Sequence, residues 1–365
     1  MDGWNLSRLE FQDSSKVKVG IVNTAVLFLL GLSACSPESK HEFQYVSPEA
    51  KGFSSERFEH LTSLLQSSGS SAMMILVDGE VIYDWGETKR KHVVHSIRKA
   101  LLNSLYGIYI SRGIIDTSLT LRALHIDDIE PHLSENELDA KLTEILKSRS
   151  GVYHNAAGVS KGMLQGKPPR DAYRPGEHFY YNNWDFNVLG AILEKETKQS
   201  IYELFYHEIA KPVGMHDYRG KYRSIDGESE DAEIPRTDGF YQFERSKSNY
   251  PAYHFRMSAR DLALYGQLYL ENGNWDGKQL IPGEWIDYSI KPYSIYNKEH
   301  DIGYGVMWYV RGNSFYHTGL GMHMLAVYPD DHMVVVHRVD TENDFNFYHG
   351  DLLKMIDLIF DAKIK

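Results

Sequence analysis

Residues 96–112 are the segment that most constrains the fold of this chain. The apolar positions within it are Ala100, Leu101, Leu102, Leu105, Ile108 and Ile110. They leave no continuous polar face, and a helix without a polar face has to be buried on all sides. We therefore predict a core helix that ends at Gly113 and is surrounded by other elements. A chain of 365 residues is long enough to supply them.

Segments at both ends of the chain have the pattern of strands. Residues 72–77 and 81–85 flank Asp78-Gly79, a dipeptide that favours a hairpin turn. Four strand-like segments follow one another near the other end, at residues 304–310, 314–318, 322–328 and 333–339, before an amphipathic helix at 352–360. We expect one antiparallel sheet assembled from both chain ends and flanked by helices.

The middle of the chain alternates loops with helical segments, of which residues 185–196 and 259–270 have the clearest pattern. The predicted fold class is therefore α/β, of the α+β type, with a mostly helical lobe inserted into the sheet. The predicted domain spans residues 47–365. Its α/β part comprises 47–95 and 291–365, and its helical lobe 96–290.

The N-terminus has the features of an export signal that ends in a lipid-attachment cysteine. Lys16 and Lys18 precede an apolar run at residues 19–32, which suits a signal-peptide core and is short for a membrane span. The tail Leu32-Ser33-Ala34-Cys35 resembles the bacterial lipobox, in which the cysteine is lipidated and becomes the mature N-terminus. We expect residues 1–35 to be a lipoprotein signal peptide and 36–46 a tether.

Neighbouring residues refine this expectation. Ser36 follows the cysteine where an aspartate would retain the protein at the inner membrane, so the resemblance implies the outer membrane, facing the periplasm. Residues 1–15 carry Asp2, Glu10 and Asp13 and are unusually acidic for a leader, so we expect translation to start nearer Lys16.

The net charge of the whole chain, −11, gives no support for nucleic-acid binding. Cys35 is the one cysteine, which excludes an intrachain disulfide.

Ser96 and Lys99 offer a nucleophile and a base at the start of the predicted core helix. Residues three apart share a helix face, so the lysine amine can reach the serine hydroxyl. A serine hydroxyl needs a neighbouring base, and burial lowers the pKa of a lysine enough to make it one. The alternative is a helix-capping serine followed by a surface lysine.

Two other segments carry candidate site residues. Tyr181 and Asn183 stand where a loop meets a helix, although Tyr180 and Asn182 fit the same Tyr-x-Asn pattern. Residues His317, Thr318 and Gly319 end a strand, and such an edge can bind an extended acyl group through backbone hydrogen bonds. The alternative for this last segment is a turn glycine with a structural histidine.

In this order, the Ser-x-x-Lys, Tyr-x-Asn and His-Thr-Gly segments resemble the motifs of the class C β-lactamase-related serine hydrolases. That group includes class C β-lactamases, D-alanyl-D-alanine carboxypeptidases, esterases and aminohexanoate-oligomer amidases. The similarity covers about residues 43–360, with further matching segments at 142–152, 211–215, 257–262 and 303–305. It implies a β-lactamase/transpeptidase-like fold, and its register at residues 187–190 favours Tyr181 with Asn183.

The resemblance also implies a role for each site residue. Ser96 is expected to be the acylated nucleophile, with Lys99 and Tyr181 as the general-base pair. Asn183 is expected to orient the substrate and the lysine. The backbone N–H groups of Ser96 and Leu320 are expected to form the oxyanion hole, and no metal or other cofactor is required.

Two positions depart from the family pattern. His317 replaces a lysine found in many β-lactamases, which removes a permanent cation able to hold a substrate carboxylate. Arg98 occupies a position where the family usually has a small or apolar residue, and we expect it to point off the Lys99 face and to shape the mouth of the cleft. Further candidates for the cleft, or for a packed aromatic loop, are Tyr250, Tyr253 and His254.

The expected function is hydrolysis of an ester or small amide by an enzyme attached to the envelope membrane. A D-Ala-D-Ala-type peptidase or weak β-lactamase is the enzymatic alternative. A catalytically silent homologue that binds envelope material is the third.

Overall fold

The computed structural model describes residues 40–343 and 345–364. The predicted signal peptide at 1–35, with Cys35, and residues 36–39 of the predicted tether lie outside the described residues. The division into leader, tether and domain therefore stays a prediction. Within the described part, no helix is both long enough and apolar enough to cross a lipid bilayer.

The described residues alternate strands and helices along most of the chain. The strands are β1 (Ser70–Val77), β2 (Glu80–Gly86), β3 (His92–Val93), β4 (Tyr222–Asp226), β5 (Gly239–Phe243), β6 (Ala252–Met257), β7 (Asn274–Trp275), β8 (Lys278–Gln279), β9 (Ser294–Asn297), β10 (Ile302–Tyr304), β11 (Tyr309–Arg311), β12 (Ser314–Gly319), β13 (His323–Tyr328) and β14 (Met333–Val339). The α-helices are α1 (Ser55–Ser67), α2 (Arg98–Ser111), α3 (Glu135–Leu138), α4 (Leu142–Leu146), α5 (Lys161–Leu164), α6 (Asn183–Thr197), α7 (Ile201–Phe205), α8 (Lys211–Val213), α9 (Ala259–Leu270), α10 (Gly283–Ser289) and α11 (His349–Asp361).

The large sheet is built from both ends of the chain, which confirms the predicted fold class. Its strands run in the order β2-β1-β14-β13-β12-β11-β10-β9, and all neighbours are antiparallel. The N-terminal hairpin joins the C-terminal strands where β1 pairs with β14, with Met74 opposite Val336. Asp78 and Gly79 form the hairpin turn, and both have positive φ, as this turn requires.

The sheet is covered on both faces because successive side chains of a strand point to opposite sides. In β1, Met73 and Ile75 pack with Leu61 of α1 and Met355 of α11. Met74 belongs instead to the larger core cluster, which includes α2 and α9. A strand that is buried on both faces lacks polar positions, which explains the unbroken apolar run at residues 72–77.

A smaller sheet in the middle of the chain was not predicted. It has the strand order β3-β6-β5-β4. Strand β3 comes just before α2 in the chain, and the other three strands come between α2 and α9. Its strands lack a simple alternation: β4 is mostly exposed, and β6 carries a histidine and an arginine. The helices at 185–196 and 259–270 are confirmed as α6 and α9.

The strand predicted at residues 304–310 is wrong in one respect, because it is two strands. Between β10 and β11 the chain leaves the ladder, and the backbone N–H of Val306 donates to the carbonyl of Ser289 at 2.8 Å. A Cβ on Gly305 would overlap with that same carbonyl oxygen. The break is a tertiary contact with the end of α10, which the local sequence does not reveal.

The predicted core helix is confirmed as α2, with a 3₁₀ turn at His95–Ile97 in place of its first residues. Leu101, Leu102 and Leu105 have no exposed surface. The helix contacts α6, α7, α10 and β6, so it is enclosed as its apolar surface demands. Gly107 is where α10 approaches most closely, since a Cβ there would overlap with the indole of Trp285.

We predict that Gly107→Ala destabilises the protein by about 1–3 kcal/mol, because overpacking against the rigid indole outweighs the roughly 1 kcal/mol of helix propensity that alanine adds. The measurement is urea unfolding of the purified protein. Gly350→Ala in α11 is the matched control, since a Cβ there meets nothing within 4 Å. Equal stability changes in the two variants would contradict the close packing of α2 and α10.

Candidate active site

The turn that carries Ser96 lies between β3 and α2 and is held at several points. The backbone N–H of Val94 donates to the carbonyl of Phe255 in β6 at 2.9 Å. His95 has a positive φ of 49°, an uncommon conformation for a residue with a side chain. Its Nε2 lies 2.7 Å from the hydroxyl of Thr341. These contacts fix the direction in which the next residue, Ser96, leaves the turn.

Lys99 and Ser96 are in direct contact. Lys99 Nζ lies 3.0 Å from Ser96 Oγ, within hydrogen-bond distance. The lysine side chain is buried, and its nitrogen lies 4.9 Å from the centre of the Tyr181 ring and 4.8 Å from that of Phe186. Burial holds the pKa of Lys99 well below its usual value, and the neighbouring Arg98 cation acts in the same direction. A lowered pKa favours the neutral amine that a general base requires.

Tyr181 stands directly before α6 and places its ring beside Lys99. Its hydroxyl is buried and has no hydrogen-bond partner among the described residues. Burial raises the pKa of Tyr181, while the nearby Ser96 hydroxyl and the Arg98 cation oppose that rise. Tyr181 therefore lies close to Ser96.

The positions of the neighbouring residues favour Tyr181 with Asn183 over Tyr180 with Asn182. The hydroxyl of Tyr180 donates to the carbonyl of Met163 and is engaged away from Ser96. Asn182 is the N-cap of α6, where its side chain accepts from the backbone N–H of Trp184 at 3.2 Å.

Asn183 lines the same cavity as Ser96 and holds a loop against it. Its Nδ2 donates to the carbonyl of Gly158 at 2.7 Å, and its Oδ1 has no partner among the described residues. The expected hydrogen bond from Lys99 to Asn183 is therefore not formed in this structure.

Strand β12 brings Thr318 and Gly319 to the cavity, and Leu320, which follows the strand directly, also lines it. Gly319 runs close to the turn that carries Ser96, since a Cβ there would lie 2.6 Å from the carbonyl oxygen of Val94. Only glycine fits this approach without displacing one of the two backbones. The strand edge and the turn that carries Ser96 therefore form adjacent walls.

The imidazole of His317 is not part of the cavity lining. The residue is fully buried, its ring packs 5.0 Å from that of Tyr309, and its Nδ1 donates to the carbonyl of Thr318 at 2.9 Å. Burial lowers the pKa of His317 to about 3, with Lys99 contributing, so the ring is neutral. The burial of His317 could have been predicted from the sequence. Side chains of β12 alternate between its two faces, and His317 lies on the same face as the buried Phe315.

The cavity above Ser96 has a volume of about 650 Å³. Arg98 and His254 also line it, whereas Tyr250 and Tyr253 do not. Sequence reasoning missed the lining residue His95, which directly precedes Ser96, and several from distant segments, which include Gly158, Met163, Tyr296 and Tyr309. Grooves of about 740 and 840 Å³ lie elsewhere on the surface, but neither contains Ser96, Lys99 or Tyr181. Chemistry rather than size identifies the candidate site.

We predict that Lys99→Met stabilises the protein most at low pH. The lowered pKa means that the unfolded chain binds a proton that the folded chain does not, so wild-type stability rises with pH up to the ordinary lysine value of 10.5. The slope is about 1.4 kcal/mol per pH unit within that window, and the variant lacks it. Urea unfolding of both proteins at several pH values measures the difference.

Lys161→Met provides the control, because Lys161 is an exposed lysine of α5. A stability difference between Lys99→Met and the wild type that does not change from pH 6 to pH 10 would contradict the lowered pKa of Lys99.

Comparison with known proteins agrees with this geometry. Residues 65–344 match the family described as "Beta-lactamase". A relative from Escherichia coli strain K12, named "Putative D-alanyl-D-alanine carboxypeptidase", is 21% identical over 80% of this chain and 83% of its own. The structure of a "Putative 6-aminohexanoate-dimer hydrolase from Bacillus anthracis" superimposes with a TM-score of 0.65 at 20% identity, covering 89% of each chain.

A class C β-lactamase solved with cefoxitin superimposes with a TM-score of 0.61 at 14% identity, covering 84% of this chain and 99% of that one. At these identities the two structures show a shared fold. The family match covers most of the chain and includes the segments that carry Ser96, Tyr181 and Gly319. The chain therefore belongs to the β-lactamase family.

Proposed function

We propose that this protein hydrolyses an ester or a small amide through an acyl-enzyme on Ser96, with Lys99 and Tyr181 as the general-base pair. The observation that carries the proposal is the contact of 3.0 Å between Lys99 Nζ and Ser96 Oγ, at a lysine whose pKa is lowered by burial. A neutral amine within hydrogen-bond reach is what the serine hydroxyl needs to become a nucleophile.

The reaction would proceed in two halves. In the first, the Ser96 hydroxyl gives its proton to the Lys99 amine, either directly or through the Tyr181 hydroxyl, which passes its own proton on to Lys99. The serine oxygen bonds to the substrate carbonyl carbon. The tetrahedral intermediate then expels the alcohol or amine, which takes up the transferred proton. In the second, water gives a proton to the same base and attacks the Ser96 ester, which releases a carboxylic acid and restores the serine.

The donors that stabilise the oxyanion would be the backbone N–H groups of Ser96 and Leu320. Both residues line the cavity, on the two walls that the close approach of Gly319 to Val94 brings together. Backbone donors fixed in this way need no reorganisation as negative charge develops on the substrate oxygen.

The environment of His317 favours an ester or amide over a β-lactam. The lysine that many relatives have at this position would offer a permanent cation beside the strand edge. Here a neutral, buried imidazole takes its place and does not line the cavity. Hydrolysis of a D-Ala-D-Ala peptide is the second candidate function, supported by the relative that bears the carboxypeptidase name.

We predict that Ser96→Ala abolishes labelling by a fluorophosphonate probe and lowers kcat/KM for p-nitrophenyl esters roughly 10³-fold or more, because the acyl-enzyme cannot form. Mass spectrometry of the labelled peptide and steady-state kinetics provide the measurements. Ser111→Ala is the control, since Ser111 lies on the same helix and donates only to the carbonyl of Ile108.

A panel of substrates separates the candidate functions. Ester turnover with labelling at Ser96 supports the proposal, and efficient turnover of D-Ala-D-Ala peptides or a cephalosporin in place of esters supports the second candidate. Neither labelling nor turnover of any of these compounds would overturn catalysis and favour a binding role.

We further propose that the mature protein is attached to the envelope membrane through a lipid on Cys35, with residues 36–46 as the tether. The support is the apolar run that ends in Leu32-Ser33-Ala34-Cys35. One acyl chain gives only weak membrane binding, so stable attachment requires the several chains of a bacterial lipoprotein.

We predict that Cys35→Ser blocks incorporation of an alkyne-tagged fatty acid and moves the protein from the detergent phase to the aqueous phase. The measurement compares wild type and variant in a two-membrane bacterium by in-gel fluorescence and phase partition. Recovery of an unlabelled wild-type protein that still begins at Met1 would contradict both the anchor and the proposed cleavage.

A further inference from the structure

Arg98 is a buried cation on the wall of the cavity. Only 3% of the residue is exposed. Its Nη2 donates to Oδ1 of Asn187 at 3.0 Å, and the guanidinium carbon lies 4.1 Å from the centre of the Tyr253 ring. Its Nη1 is buried and has no hydrogen-bond partner among the described residues. Asn187 and Tyr253 thus hold the guanidinium in place, while its Nη1 group is left without a hydrogen bond.

The described part of the chain offers this cation no counterion. A buried charge is costly unless it is paired and hydrogen-bonded. Arg256, which is equally buried, forms an ion pair with Glu342. Arg338 lacks a carboxylate but donates to His323 Nδ1 and to two backbone carbonyls, and it does not line the cavity. Arg98 differs from both because its unsatisfied group belongs to a residue that borders the cavity.

The cavity has a cation in its wall although the protein is acidic. Arg98 lines it, and none of the described residues in its lining is aspartate or glutamate. The chain as a whole has a net charge of −11. An anionic group in this cavity would therefore meet a cation and no opposing carboxylate in the lining.

His254 adds a second unsatisfied group to the same wall. Gln242 donates to the carboxylate of Glu244 at 2.6 Å, so its amide oxygen faces His254. His254 Nε2 must then be the donor in its contact of 3.2 Å with that oxygen, which leaves Nδ1 as a bare acceptor. This Nδ1 is buried and has no partner among the described residues. The wall can thus receive a ligand that carries both an acceptor and a donor.

We propose that Arg98 binds a carboxylate of the substrate and makes this protein selective for anionic esters or amides. The inference rests on the proposed hydrolysis at Ser96 and names the substrate class of that site. The carboxylate is held by α2, next to β6, and not by the strand position at His317 that carries a lysine in many relatives. His254 Nδ1 would accept from an N–H or O–H group of the same substrate.

Two ester series test the proposal, one with the carboxylate in the acyl part and one with it in the leaving group. Mono-p-nitrophenyl glutarate is compared with its methyl ester, and 4-acetoxybenzoate with its methyl ester. We expect the wild type to prefer at least one anionic ester by about tenfold or more in kcat/KM. Arg98→Gln should abolish that preference and bring the ratio of anionic to neutral kcat/KM close to one, because one partner of the charge pair is lost.

Two further variants separate specific binding from general attraction. Arg98→Lys should keep part of the preference, because it retains the charge and loses the planar donor pair. Lys161→Gln removes a cation from the exposed part of α5, near the cavity, and should leave the ratio of anionic to neutral turnover unchanged. Equal ratios in the wild type and Arg98→Gln would overturn the proposal.

Binding provides a readout that is independent of turnover. With Ser96→Ala protein, benzoate should bind more tightly than benzamide in isothermal titration, and Arg98→Lys should weaken benzoate selectively. If the wild type labels with the fluorophosphonate probe but shows no anionic preference, this inference fails and the hydrolase proposal stands. If labelling and turnover are absent but benzoate binds through Arg98, the hydrolase proposal fails and the anion site stands.

Discussion

The enclosure of α2 is the constraint on which the site depends. The helix is apolar nearly all round, and helices of the middle segment and strand β6 surround it. Lys99 is carried into this interior by its position on the helix, where solvent cannot stabilise its charge. The cost of burying the amine is the same effect that lowers its pKa, so folding itself supplies the lowered pKa that the proposed base needs. Burying Lys99 therefore lowers the stability of the folded protein, a cost that is common at functional sites.

The second constraint is the close approach of the end of β12 to the turn that carries Ser96. Gly319 passes so close to Val94 that no side chain fits between them. On the other side, His95 adopts a left-handed conformation that costs about 1 kcal/mol or more and persists only when neighbours hold it. Arg338 helps to do so, because its guanidinium donates to the carbonyls of His92 and Val93 in the preceding strand.

Local patterns were enough to predict most of the fold. The strands at both chain ends, the Asp-Gly turn and the apolar run of α2 are properties of short segments, and they were confirmed apart from the strand predicted at residues 304–310. The contact between Ser96 and Lys99 was also accessible, since residues three apart share a helix face. The placement of Tyr181 was not, because it comes from a segment 85 residues away by numbering and only the family resemblance suggested it.

The features that were not predicted depend on tertiary contacts between segments far apart in the sequence. The break between β10 and β11 arises where Ser289 takes a backbone hydrogen bond from the chain, and the small sheet has no clear alternation. The segment at 257–262 resembled the family, but the sequence did not reveal why. In the structure Asp261 accepts the backbone N–H groups of His216, Asp217 and Tyr218, which ties α9 to the chain after α8.

The proposed chemistry and the proposed selectivity are placed on a single turn of chain. Successive residues of a helix are rotated by about 100°, so Lys99 returns to the side of Ser96 while Arg98 points elsewhere. The contacts follow this geometry: Lys99 meets Ser96, and Arg98 meets Asn187 of α6 and Tyr253 of β6. Because the base and the cation diverge from one helix, a change at residue 98 can alter which substrates bind without removing the group that takes the serine proton. A strand position such as His317 offers no such separation, since its side chain is committed to the interior by the alternation of β12.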